Sequence, residues 1–387
     1  LRIHCLFALF WCASAGAGSL ASRPPANLAM SAFVSPLTYP VSLLRSVSNY
    51  LASQMEFSGN SSRTNESASG HLTMIGDDLI LSSHDLALDF RDSVSRRSGG
   101  NSQSFRMHYA FPVAGANVSL AVEDSDYDSV VQNGDERFNA RREYQALTLS
   151  GSRPLFSWQG LELDSLFSHS SGMNSTYQES KWVADSTHRV SRVGVRCSKL
   201  QALPGGFVAG STLTALGGLE SRGSVSADDS SSSALRYHKL ALTASLNRVF
   251  YTWNIAVNGQ YQIAPEDLAS SEYLQIAGPS MMRGFNGQSK SVSEGGWFRV
   301  NAQSPGYSVP YTDALSSFLT FSLLRGWSAE SDAGQESFRA STGEISLRLQ
   351  GQGFHASMSV GRILDVSGSS MERPANPDVS LTLSMGI

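Results

Sequence analysis

Residues 252–261 read TWNIAVNGQY. Trp253, Ile255, Val257 and Tyr261 fall on every second place, with Gly259 in step. Thr252, Asn254, Ala256, Asn258 and Gln260 fill the places between. Neighbouring side chains of a strand point to opposite faces, so this period of two predicts a strand with one greasy face and one wet face.

The same alternation recurs along the chain. Val379, Leu381, Leu383, Met385 and Ile387 interleave with Asp378, Ser380, Thr382, Ser384 and Gly386. Leu240, Leu242, Ala244 and Leu246 form a third row, and Phe105, Met107, Tyr109 and Phe111 a fourth. With weaker stretches included, strands are expected at 50–58, 67–76, 80–90, 103–111, 116–125, 141–151, 158–168, 188–199, 207–217, 236–249, 252–262, 296–303, 316–325, 337–349, 354–362 and 378–386. These are sixteen strands, mostly nine to twelve residues long. Their connections alternate between short turns (112–115, 151–158, 250–251, 351–353) and long polar loops (91–102, 126–140, 169–187, 218–235, 263–295, 326–336, 363–377).

Composition fits the same picture. Of 387 residues only 16% are charged and 41% are hydrophobic, with 29 basic against 33 acidic residues and a net charge of -4. Soluble domains carry roughly 25% charge. A chain poor in charge without being rich in oil suits a barrel with lipid outside and uncharged polar groups inside. No apolar run reaches the length of a membrane helix, and the scattered basic residues argue against a nucleic-acid surface. A soluble propeller would repeat a motif at a fixed period, and a soluble barrel would be apolar inside. The expected fold is therefore all-β: a 16-stranded antiparallel transmembrane β-barrel, an even number closed without edges, with long outer loops.

Arg2 and His4 precede the apolar run Cys5 to Trp11, and small residues Ala13 to Ser19 follow. Residues 1–19 are thus expected to be a signal peptide, 20–49 (with Pro24, Pro25, Pro36 and Pro40) a lead-in segment, and 50–387 the barrel. Removing the signal leaves Cys197 without an internal disulfide partner. Val193, Val195 and Cys197 share one face and Arg192, Arg196 and Ser198 the other, so Cys197 is expected to face lipid. No Ser-His-Asp grouping and no zinc spacing stands out, so neither enzyme chemistry nor a cofactor is expected. Asp77-Asp78 and Asp228-Asp229 read as solvated turns rather than cation sites. Arg96-Arg97 and Arg141-Arg142 read as solvated or as contacts to lipopolysaccharide phosphates, and Trp253 and Tyr261 as rim aromatics.

Ile276 to Gln303, IAGPSMMRGFNGQSKSVSEGGWFRVNAQ, resembles the signature region of the outer-membrane transporters of two-partner secretion, the haemolysin secretion/activation family. The tetrad is Met282, Arg283, Gly284 and Phe285, and Gly296-Trp297-Phe298-Arg299 resembles the start of the family's next strand. Tyr109 to Pro112, Ser119 to Tyr127, Arg141 to Arg153 and Gly343 to Leu364 resemble further parts of that barrel. The related insertases of barrel assembly share the tetrad.

The resemblance implies an integral protein of the bacterial outer membrane that secretes a large unfolded partner exoprotein through the barrel. It implies a sixth loop folded into the lumen, with its arginine on an acidic residue of a later strand, and periplasmic domains that capture the partner. Further partners are outer-membrane lipid and lipopolysaccharide, and the chain is expected to be a monomer. The sequence departs from the pattern in several places. Ser316 to Arg325 holds no Asp or Glu, the chain ends in Ile387 rather than an aromatic residue, and the lead-in is too short for two periplasmic domains. The acceptors left for Arg283 are Glu344 first, then Glu162, or the hydroxyls of Thr320 and Ser322. The alternative function is a passive outer-membrane pore, or a degenerate or truncated transporter lacking its periplasmic domains.

Overall fold

A computed structural model describes residues 55–386 except 63–66, 78–82, 96–99, 134–135, 227–229, 265–267, 310–311, 330–336, 352–353 and 369–370. The expected signal and lead-in segments lie outside the described residues, as do Asp78, Arg96, Arg97, Asp228, Asp229 and Ile387.

The strands are β1 (Met55–Ser62), β2 (Ser67–Asp77), β3 (Asp85–Ser95), β4 (Asn101–Val113), β5 (Ala116–Asn133), β6 (Glu136–Trp158), β7 (Leu161–Gln178), β8 (Lys181–Leu203), β9 (Phe207–Ser226), β10 (Ser230–Phe250) and β11 (Trp253–Ile263). After them come β12 (Leu274–Ala277), β13 (Lys290–Val292), β14 (Gly295–Gln303), β15 (Tyr307–Val309), β16 (Thr312–Ser328), β17 (Arg339–Gly351), β18 (Phe354–Ser367) and β19 (Asp378–Gly386). Seventeen belong to one antiparallel sheet, and β12 with β13 forms a separate hairpin. Each strand from β1 to β11 pairs with the next, β11 pairs with β14, β14 with β16, and β16 to β19 follow in order. β19 then pairs with β1, from Glu56 opposite Gly386 to Ser62 opposite Ser380. β15 lies against β16 beside this circuit. Each of the sixteen expected stretches has its counterpart in the circuit.

The strands are longer than the alternation suggested. β6 and β8 have 23 residues each, β10 has 21 and β9 has 20. Much of 126–140, 169–187 and 218–235, read above as loop, is paired strand. β7 and β8 meet at a two-residue turn, Glu179-Ser180, with φ of 48° and 64°. The stretch 151–158, read as a turn, is the end of β6, and the turn is Gln159-Gly160 with φ of 47° and 75°. The cause is physical. Apolar and polar residues alternate only where the two faces meet different media; where both are wet the alternation fades, while backbone pairing continues.

The sheet has two unlike faces. On β17, Ala340 and Thr342 are buried and Glu344 is half-buried, while Ile345 and Leu347 on the alternate positions are exposed. Exposed Leu240, Leu242 and Leu246 on β10 sit in register beside Ile263, Tyr261 and Val257 of β11, and Leu242 is also opposite Leu213 of β9. The chain's main packed core is not inside the sheet's own pleat. It forms where 274–292 lies against β16, β17 and β18: Ile276, Met282 and Phe285 pack with Leu324, Ala340 and Ile363. Each such apolar side chain taken from water stabilises this docking by about 1.5–3 kcal/mol.

Candidate functional site

The segment between β11 and β14 is the sixth connection at its end of the sheet, counting from β1–β2. Its arch is the β12–β13 hairpin, paired at Leu274 with Val292 and irregular between Gln275 and Ala277. Beyond β12 the chain turns on itself, with the N–H groups of Met281 and Met282 donating to the Gly278 carbonyl at 3.0 and 3.2 Å. That turn delivers Met282, Arg283, Gly284 and Phe285 to the wall made by β17, β18 and β19.

The tetrad is gripped through its main chain. Arg283 N–H donates to Glu344 Oε2 at 2.9 Å, and Gly284 N–H donates to Asp378 Oδ2 at 3.3 Å. The Thr342 hydroxyl lies 3.0 Å from the Arg283 carbonyl and 2.9 Å from that of Arg362. Met282 and Phe285 are buried on either side. Gly284 has φ +110°, and a β-carbon there would stand 2.6 Å from the Arg362 nitrogen and 2.7 Å from the Thr342 hydroxyl. Only glycine combines that backbone with that closeness. Gly361 on β18 makes the matching room, since a β-carbon there would meet the Arg283 carbonyl at 2.4 Å.

Of the expected acceptors, Glu344 reaches the motif, but it takes the Arg283 backbone N–H. The half-buried Arg283 guanidinium makes no ion pair among the described residues. Ser322 instead takes part in holding Arg299, at 3.4 Å. Thr320 lies on the same strand opposite Ser346, and exposed Glu162 lies on β7 two positions from a short turn. Among the described residues neither is bonded to the tetrad. The guanidinium that braces the loop belongs to Arg299 on β14. It donates to the Met281 carbonyl at 2.9 Å and to Asn301 Oδ1 at 2.8 Å. The far side of the loop meets the β18–β19 connection, where Gln288 Nε2 donates to the Glu372 carbonyl at 3.0 Å and Glu372 N–H donates back to Gln288 Oε1 at 2.8 Å.

A second anchor holds the start of the loop on other strands. Glu272, at the end of a single 3-10 turn (Ser270–Glu272), is 5% exposed. Its carboxylate meets Arg192 of β8 at 2.5 Å and Lys239 of β10 at 2.8 Å. Its carbonyl accepts from Gln262 Nε2 of β11 at 3.1 Å, and Gln262 also donates to the Ser293 carbonyl at 2.9 Å. Arg222 of β9 donates to Ser270 Oγ at 2.7 Å and to Glu220 at 2.7 Å, and Glu220 also meets His188. Leu268 and Ala269 pack on Val190 and Tyr237. Burial pushes the Glu272 carboxyl upward, but the hydrogen bonds and charges of Lys239 and Arg192 outweigh it and hold the group below its ordinary range. Among the described residues no three metal-ligating side chains converge. The arrangement ties one loop to two distant parts of a closed sheet.

Sequence reading did not find Glu272, Lys239 or Asp378. Glu272 sits in a stretch without periodicity, and Asp378 read as one more interleaved polar residue. Arg192 was legible only as a residue that shuns lipid.

The family model for haemolysin secretion/activation protein ShlB/FhaC/HecB matches residues 45–320. Among solved structures, CdiB from Escherichia coli matches with a TM-score of 0.66 at 17% identity, covering 86% of this chain and 62% of that one. CdiB from Acinetobacter baumannii matches with a TM-score of 0.65 at 13% identity, covering 86% and 60%. The chain thus spans less than two thirds of the length of either. The comparison with curated proteins finds no match. The closed antiparallel sheet with apolar residues on one exposed face, together with the family match, makes the chain an integral protein of the bacterial outer membrane. The chain belongs to the haemolysin secretion/activation family, ShlB/FhaC/HecB.

Proposed function

We propose that residues 50–387 form the channel of a type V, two-partner secretion transporter, through which a large unfolded exoprotein leaves the cell. The circuit of sixteen strands is its transmembrane barrel, and the loop-facing side of the sheet is the lumen. The sixth loop lies in that lumen as a plug that must yield to the passing chain. One observation carries this reading: a single loop is anchored by Glu272 to β8, β10 and β11 and by Arg283-Gly284 to β17 and β19. A loop held on strands so far apart in the circuit lies across the inside of a closed sheet. Polar main-chain and charged contacts suit a plug, since they can be exchanged for water when the loop moves. The tetrad Met282 to Phe285, with Glu344 as its acceptor, is the lock in this account. The barrel works as a monomer, wrapped by outer-membrane lipid and lipopolysaccharide, and its task is passage rather than catalysis.

The test is secretion together with conductance. Cells co-expressing the transporter and its exoprotein should export it, and removal of 268–292 should convert a mostly closed conductance in planar bilayers into a steadily open one. A steadily open conductance of the intact chain, unchanged by that removal and with no export, would favour the passive pore.

A further inference from the structure

Basic residues stand at both ends of the apolar rows on β8 and β10, on the face turned away from the sixth loop. On β10 that face reads Arg236, His238, Leu240, Leu242, Ala244, Leu246, Arg248. On β8 it reads Arg189, Ser191, Val193, Val195, Cys197, Lys199. The pairing confirms one shared face: Val193 is opposite Gly217 and Cys197 opposite Leu213 of β9, which in turn face His238 and Leu242 of β10. Arg192, Lys239 and the loop lie on the other side.

The spacing matches a membrane. At about 3.3 Å per residue and a tilt of about 40°, the step from Arg236 to Arg248 rises ~30 Å and that from Arg189 to Lys199 ~25 Å. Those heights bracket the hydrocarbon slab. The lower residues, Lys199 and Arg248, lie near the short turns, with Arg248 over the rings of Phe207 and Phe250 at 4.5 and 5.7 Å. The upper residues, Arg189 and Arg236, lie toward the end of the sheet that carries the long 264–294 connection, the end that such barrels turn to the outside of the cell. Both are exposed, and among the described residues neither makes an ion pair. Arg141 on β6 differs, because Asp126 and Glu143 already hold it at 3.2 and 3.0 Å.

We infer that Arg189 and Arg236 form a binding site for the phosphate groups of lipopolysaccharide in the outer leaflet. Guanidinium groups take phosphate oxygens in bidentate pairs. The two sit on strands separated only by β9, about 10 Å apart across the sheet, so one multiply phosphorylated headgroup can engage both. The apolar rows below them receive its acyl chains. This rests on the lipid contact proposed above.

The experiment uses the full chain in mild detergent and native mass spectrometry. The probes are deep-rough lipopolysaccharide, its dephosphorylated form and phosphatidylglycerol. Arg189→Ala with Arg236→Ala should weaken lipopolysaccharide binding on the order of tenfold. The paired lysine variants should keep part of it, and Lys199→Ala with Arg248→Ala should leave it unchanged. All variants should remain heat-modifiable on gels, which separates lost binding from lost folding. Undiminished binding by the double alanine variant, or equal binding of the dephosphorylated lipid or phosphatidylglycerol, would overturn the site. Failure of the chain to fractionate with outer membranes would instead contradict the membrane placement beneath it.

Discussion

The Arg283 backbone N–H donates to Glu344 Oε2 at 2.9 Å, while the Arg283 side chain pairs with no carboxylate among the described residues. The family motif is thus held by its peptide groups, and the shape of the backbone matters more than the charge that marks it. Arg283→Ala should therefore leave the loop docked and the conductance mostly closed. Glu344→Ala strands a half-buried N–H, at a cost of about 1–3 kcal/mol, and should raise the open fraction clearly. Single-channel recordings of the two variants check this, and the reverse order would show that the guanidinium carries the lock.

Gly284→Ala should be more disruptive than either. It forces a β-carbon into φ +110° and into the Thr342 hydroxyl and Arg362 backbone. Strain of this kind costs of order 1–3 kcal/mol. Limited proteolysis from outside the cell should cut 278–288 in this variant faster than in the parent, with the barrel still heat-modifiable.

The anchor at Glu272 should give the loop a pH dependence of defined sign. Docking lowers this carboxyl's pKa, so the bound loop favours the ionised form. Its contribution is fully present above the undocked pKa and is lost as pH falls through the lowered, docked value. Open probability should rise on acidification below the ordinary carboxylate range. Glu272→Gln should be partly open at neutral pH and much less sensitive to acid. A wild-type response that Glu272→Gln retains in full would assign it to another group.

Cys197 shares its face with exposed Val193 and Val195 and is opposite Leu163 and Leu213 in register. In the outer membrane a membrane-impermeant thiol reagent should label it slowly, and denaturation should make it react quickly. Fast labelling of the folded protein would reverse the face assigned to β8.

The circuit was legible because lipid on one side and water on the other impose a period of two. It stopped being legible where that contrast ends. The upper halves of β7 and β8, near Glu179, are ordinary paired strand but carry polar residues on both faces, so they read as loop. The tetrad was legible by resemblance, and Glu344 by its phase along β17. Glu272 was hidden, since a loop residue acquires partners only from a fold-back that no local pattern records. Arg299 stood in plain view within Gly296–Arg299, yet the Met281 carbonyl it holds is close only after the loop has turned.

The central claim is that the sixth loop lies across the inside of the barrel and must move for a polypeptide to pass. The direct test is a reversible tether. With Cys197 first replaced by alanine, Ser270→Cys and Arg222→Cys would be joined by a reducible bis-maleimide long enough to span the gap that the arginine side chain fills, its guanidinium lying 2.7 Å from Ser270 Oγ. The account predicts that the reagent forms the cross-link in intact outer membranes and stops secretion, and that reductive cleavage of the linker restores it. Secretion at the full rate through the cross-linked protein, or no cross-link between these positions, would contradict it.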